Sequence, residues 1–189
     1  MKNQKSKIKN ALFLSASVFT LVFSACKDET PKPKDQPTNE NELITTVKLI
    51  FTDSLSGAIT TATFKDIDGE SGNPPSQFDT IRLQANKIYS TQILLLDESK
   101  SAIDTVSNEV AEEKNDHLFI FNPSNVNLGI TILDSDDNNF PIGLSSKWRS
   151  GAASKGLITV TLKHQPGIKN GTATPGETDV EVVFPCIIK

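Results

Sequence analysis

From Glu42 onward the chain alternates apolar and polar positions with a period of two. Val47, Leu49 and Phe51 alternate with Thr46, Lys48, Ile50 and Thr52, and the pattern resumes in Thr61-Ala62-Thr63-Phe64 after a turn at Ser56-Gly57. Successive strand side chains point to opposite faces, so this alternation predicts a half-buried hairpin. The same reasoning predicts strands over 78–84, 88–96, 117–121, 128–133, 142–148, 157–164 and 180–188. The links between them are rich in Gly, Pro, Asn, Asp and Ser, which suit turns. Short strands so punctuated predict an all-β fold, an antiparallel β-sandwich of about 7–9 strands. One helical patch interrupts them at 107–114, with Ser107 placed to cap and Glu109, Glu112 and Glu113 loading the first turns; one or two turns are expected.

Leu83-Gln84-Ala85-Asn86-Lys87-Ile88-Tyr89 places a leucine six residues before a tyrosine, across a turn into a strand. This resembles the tyrosine corner of fibronectin-type and immunoglobulin-like sandwiches, in which the hydroxyl bonds back to the turn backbone and locks a crossing between sheets. It makes the expected sandwich immunoglobulin-like and gives Tyr89 a structural role.

The first thirty residues follow a different plan. Lys2, Lys5, Lys7 and Lys9 precede an apolar run from Ala11 to Phe23, then Ser24-Ala25-Cys26. A positive start, an apolar stretch and small residues are the parts of an export signal, and the run is too short to span a bilayer as a mature helix. Cys26 directly after Ser24-Ala25 resembles the lipobox of bacterial lipoproteins, with Phe23 where that pattern prefers Leu. The resemblance implies cleavage before Cys26, a diacylglycerol on its thiol and acylation of the new amine, together enough for stable membrane anchoring. Lys27, Asp28 and Glu29 resemble the Lys-plus-acidic surface-export tag of Bacteroidota lipoproteins. The implied address is the outer membrane, lipid-anchored and displayed on the cell surface, with the periplasmic leaflet as the alternative.

Three segments result: a lipoprotein signal peptide at 1–25, a lipidated cysteine with a Pro-rich charged linker at 26–41, and a β-sandwich domain at 42–189. The linker holds three prolines and no large apolar residue, so it forms an extended, disordered spacer rather than a core. Residues 42–189 suffice for one domain with a substantial core. Removing residues 1–25 deletes four of the 19 basic residues and none of the 23 acidic ones, taking the net charge from −4 to −8. Such a surface excludes nucleic acid as a natural partner. The only cysteines are Cys26 and Cys186. With Cys26 lipidated, Cys186 has no disulfide partner within the chain, and it shares the parity of Val182, Phe184 and Ile188, that of a small buried hydrophobe.

Candidate chemistry is sparse. Asp134, Asp136 and Asn138 stand at positions one, three and five of a calcium-type loop, but the twelfth position is Ser145 rather than a bidentate Glu. Without that carboxylate a wide hairpin turn is the preferred expectation. Asp66 and Asp68, before Gly69, form a second acidic turn with the same ambiguity. His117 and His164 each end a predicted strand on its inner face. Paired with Asp116, Glu177 or Asp179, they are candidates for a transition metal or for haem, although no close sequence spacing supports either. Trp148 alternates with Leu144 and Ser146 as a core residue would, while exposure at a strand end would mark a binding surface. No nucleophile elbow, Ser-x-x-Lys or framed carboxylate pair is present, which points away from an enzyme. Asp53-Ser54-Leu55, Asp79-Thr80-Ile81 and Asp104-Thr105-Val106 match the Asp-Ser/Thr-apolar pattern of Bacteroidota O-glycosylation, making Ser54, Thr80 and Thr105 candidate acceptors.

Blocks along most of the chain, including Glu42-Leu43-Ile44-Thr45-Thr46-Val47, Phe64-Lys65-Asp66-Ile67-Asp68-Gly69, Pro141-Ile142-Gly143-Leu144, Leu162-Lys163-His164-Gln165-Pro166 and Glu177-Thr178-Asp179-Val180-Glu181-Val182, resemble small Bacteroidota lipoproteins labelled "type 1 periplasmic binding fold superfamily protein". A periplasmic binding fold alternates strands and helices through two lobes, so the strand periodicity rather than that label sets the fold expectation here. The resemblance implies a non-enzymatic accessory or ligand-capturing partner of a TonB-dependent outer-membrane receptor; the expected working surface is the loop end carrying Asp66 and Asp68, Asp134, Asp136 and Asn138, with His164. A metal- or haem-binding protein using His117 and His164, and a structural or adhesive surface module, are the alternatives. Calcium or a transition metal is the cofactor class these residues would take.

Overall fold

The alternating segments pair as the periodicity predicts. The computed structural model describes residues 43–69 and 72–189, within a unit spanning Glu40–Lys189. The expected signal peptide, Cys26, the Lys27-Asp28-Glu29 tag and the linker lie outside the described residues. In chain order the elements are β1 (Thr46–Asp53), β2 (Ile59–Lys65), β3 (Gln77–Phe78), β4 (Ile81–Leu83), β5 (Ile88–Leu96), α1 (Val106–Glu112), β6 (His117–Ser124), β7 (Leu128–Ile132), β8 (Ser145–Ser150), β9 (Ser154–His164) and β10 (Glu177–Ile188). One sheet runs β3-β2-β1-β5-β8-β7 and the other β4-β10-β9-β6. Their inner faces meet as a sandwich. Val47, Leu49, Phe51, Leu95 and Trp148 of the first sheet lie against Phe119, Ile158, Val160, Leu162 and Phe184 of the second, all almost fully buried. Phe51 sits edge-on to both Tyr89 and Trp148, with ring centroids 6.3 and 5.1 Å apart, and burying such a ring stabilises the fold by about 1.5–3 kcal/mol.

Two local expectations are corrected. The single strand predicted at 78–84 is two: β3 adds to the edge of the first sheet and β4 crosses to the second, where it pairs parallel with β10. Asp79 sits at the break and its carboxylate accepts the Thr63 amide at 2.9 Å. Ser107 does not cap the helix. The cap position is Thr105, which makes no side-chain capping bond, while the Ser107 hydroxyl accepts the Leu95 amide at 2.6 Å and so ties α1 to β5.

Tyr89 holds the return crossing from β4 to β5. Its Oη accepts the Gln84 amide at 2.9 Å, and Ser150 Oγ donates to the Gln84 carbonyl at 2.6 Å while accepting the Lys87 amide. Asn86 takes the left-handed conformation at φ 58° that the tight connection requires. Trp148 is core: it is fully buried and its Nε1 donates to Ser146 Oγ at 2.9 Å. Cys186 is likewise buried, and loss of solvent pushes its thiol up to about 11, so it is inert at neutral pH.

Tyr89→Phe removes one hydrogen bond while keeping the ring. We expect a loss of about 1 kcal/mol, measured by urea unfolding with the fluorescence of Trp148, the single tryptophan, as the probe. An unchanged midpoint would show that packing alone holds the crossing.

Candidate functional site

The site is built where β6 begins, β9 ends and β10 begins. The strands pair so that His117 lies directly opposite His164, and His164 opposite Glu177. The same register sets Phe119 against Leu162, so the apolar faces of the two strands fix the histidine pair. The two imidazoles stack, with centroids 4.7 Å apart and planes 4° from parallel. Two histidines separated by more than forty residues thus become neighbours through strand pairing, which explains why no sequence spacing revealed them.

The end of α1 supplies a third donor. Glu113 follows the helix as its C-cap, and its carbonyl oxygen lies 3.2 Å from His117 Nδ1. Among the described residues, the Glu113 carboxylate and one ring nitrogen each of His117 and His164 all lie within 4.8 Å of one another. His117 is buried, His164 half-buried and Glu113 exposed. A fourth group comes from β10. The β9–β10 register slips between Thr178 and Val180, which leaves Asp179 as the extra residue of a β-bulge. Bulges re-aim side chains, and here Asp179 Oδ2 comes within 3.8 Å of His117 Nε2. Both side chains are nearly closed to solvent, and Asp179 Oδ1 has no hydrogen-bond partner.

Distance alone makes His117 and Asp179 an ion pair, but burial opposes both charges. Desolvation pushes His117 down to about 4, reinforced by the neighbouring His164 and Lys169 and only partly offset by the Glu113 carbonyl and Asp116. Desolvation, aided by Glu177, raises Asp179 despite His164 and Lys163. At 3.8 Å the pair is too far apart for a hydrogen bond that would offset these costs. His117 is therefore neutral at pH 7 and has a lone pair to offer, the state a metal ligand needs.

The loop between β9 and β10 closes the site from one side. Gln165 is fully buried, its amide donating to the Asp116 carbonyl at 2.6 Å and its Nε2 to the carbonyls of Thr172 and Pro175. Gly176 ends the loop at φ 80°, and a Cβ there would stand 2.0 Å from the His164 carbonyl oxygen. No other residue fits that approach without moving His164.

The acidic loops find other partners. Asp134 accepts the amides of Gly143 and Ser145, and Asp136 Oδ1 those of Asn138 and Phe140, with Asn139 at φ 65° completing the turn. Asp136 Oδ2 faces Lys169 Nζ at 3.0 Å, both side chains being almost completely buried. Burial would raise the Asp136 carboxyl, but the lysine and the two amides together hold it below the ordinary range. The calcium-type loop thus carries its own cation, the Lys169 ammonium, which also donates to the Lys114 carbonyl at 2.8 Å. It is the β7–β8 connection, the wide hairpin expected. Asp66 accepts the Gly69 amide and Asp68 the Asn73 side chain and backbone. The two acidic loops lie at the same end of the first sheet, but β1 and β5 stand between the strands that carry them. Of the candidate glycosylation acceptors, Ser54 is exposed, while Thr80 and Thr105 are half-buried. An apolar hollow of about 210 Å³ between β6 and β7, lined by Leu118, Phe121, Ile130, Ile132 and Pro141 among others, offers no charged side chain.

Two outcomes follow from these buried groups. Lys169→Met leaves the Asp136 carboxylate buried without its cation and is expected to cost about 3–5 kcal/mol, read from the urea midpoint; a loss under about 1 kcal/mol would place the pair in solvent. For His117, the unfolded imidazole takes its proton near 6.5 and the folded one only near 4. Stability from this group is therefore complete above 6.5 and lost as the pH falls towards 4, by at most about 3 kcal/mol. Asp179 opposes this, since its raised carboxyl adds stability as the pH falls towards 3.8. In chelator-treated buffer the wild type should lose more stability between pH 7 and 4.5 than His117→Gln; equal losses would show that His117 titrates normally.

No family model matches the chain, and comparison with curated proteins and with solved structures returns no match, so the functional conclusion rests on this geometry.

Proposed function

We propose that the chain is a lipid-anchored, non-enzymatic capture module of the cell envelope whose ligand is a divalent transition-metal ion. The observation that carries the proposal is the convergence of Glu113, His117 and His164 donors within 4.8 Å of one another, one of them a buried histidine held neutral at physiological pH. Imidazole and carboxylate together suit zinc and its borderline neighbours rather than calcium, which prefers oxygen donors alone. The resemblance of Cys26 and its flanks to a lipobox supports the anchoring.

In a tetrahedral site with bonds of about 2.1 Å, two ligand atoms stand about 3.4 Å apart. Closing on an ion therefore requires His164, the more exposed of the two histidines, to move inward by an ångström or so while His117 stays fixed. The stacked rings favour a bare ion over haem. Axial ligation by two histidines sets them on opposite faces of the macrocycle, whereas these two rings lie face to face on neighbouring strands, 4.7 Å apart.

The full chain, purified in detergent and stripped with chelator, should bind one zinc or cobalt ion per molecule. His164→Ala should weaken that binding by more than about tenfold. Stoichiometric binding that survives replacement of both histidines would assign the ion elsewhere, and an absence of binding would remove the metal from the proposal.

A further inference from the structure

The interior side of His117 holds an unsatisfied carboxylate that the three-donor cluster does not use. The Glu113 carbonyl oxygen can only accept a hydrogen bond, so His117 Nδ1, 3.2 Å away, is the nitrogen that carries the hydrogen. Nε2 of the neutral ring is then a bare lone pair, and it faces Asp179 Oδ2 at 3.8 Å. Two acceptors therefore confront each other across a closed gap, and the other Asp179 oxygen is buried without any partner. Buried polar atoms are nearly always satisfied in folded proteins, and an exception asks for an occupant. The β-bulge between Thr178 and Val180 is what turns this carboxylate inward.

We propose that Asp179, rather than Glu113, is the carboxylate ligand of the captured ion, and that His117 binds it through Nε2. The inference rests on the metal proposal above and specifies its coordination. Two donors 3.8 Å apart, each about 2.1 Å from a zinc-like ion, subtend about 130° at the metal, an opened tetrahedral angle. The Glu113 carbonyl then becomes the outer partner that fixes the His117 tautomer, a role commonly filled by a backbone carbonyl behind a metal-bound histidine. His164, stacked on His117 and half-open to solvent, is the ligand that swings in. Glu113, exposed at the mouth, draws the cation without holding it. The occupant is a borderline divalent ion, because imidazole and a single carboxylate in a closed site discriminate against hard, strongly hydrated cations.

The experiment is zinc competition and cobalt absorbance titration of the full chain and its Asp179→Asn and Glu113→Gln variants. It is joined to long-range proton–nitrogen correlation of the histidine rings in the zinc-loaded wild type. Expected are a loss of more than about tenfold in affinity for Asp179→Asn, less than about threefold for Glu113→Gln, and a zinc-induced shift on Nε2 of His117. Wild-type binding with Asp179→Asn unchanged, or a shift on Nδ1, would overturn the Asp179 assignment and leave the capture proposal standing. No wild-type binding would overturn both. Should Asp179→Asn fail to fold by Trp148 fluorescence, the nitrogen assignment in the wild type decides.

Discussion

The register of β9 between β6 and β10 is the constraint on which the rest of this structure depends. With one face of each strand buried, a slip of one residue would carry Leu162, Val160 and Ile158 to solvent, so the pairing is fixed by the cost of exposing them. That apolar requirement leaves no freedom at the strand ends. His117 must face His164, and the bulge in β10 must place Asp179 beside them. The polar site is thus held in place by the core beneath it, the usual way in which a rigid scaffold positions chemistry at a sheet end.

Two buried pairs of titratable side chains show opposite solutions to the same desolvation problem. Asp136 faces the Lys169 ammonium at 3.0 Å through Oδ2 and accepts two backbone amides through Oδ1, and the lysine also donates to the Lys114 carbonyl. Asp179 and His117 share a comparable depth but sit 3.8 Å apart with an oxygen unpartnered. The first pair ties the β7–β8 turn to the β9–β10 loop and needs nothing from outside. The second leaves a carboxylate oxygen without a partner. The acidic loop that looks most like a cation site in sequence is met by the Lys169 ammonium, while the histidine cluster carries no sequence motif.

Periodicity identified eight of the ten strands one to one and covered β3 and β4 with a single segment, since alternation reports directly which face is buried. It merged β3 and β4 although the apolar parity shifts from Phe78 to Ile81 and Leu83 at the break where the chain changes sheets, and parity carries no information about which sheet a strand joins. The Leu83 to Tyr89 spacing was legible because a crossing locked by one hydroxyl is a local device, and the structure contains that bond. Ser107 was misplaced as a cap because its competing partner, the Leu95 backbone, is supplied by a strand that the local sequence does not contain.

The sequence by itself determined the sandwich and the inward parity of Trp148 and Cys186, because each depends on neighbours a few positions apart. Only the tertiary structure decided that His117 meets His164, that Lys169 neutralises Asp136, and that a single-residue bulge turns Asp179 towards an imidazole. Those contacts join residues far apart in the chain, and their geometry is fixed by strand register, which is set by the burial of other residues and leaves no local trace in the sequence.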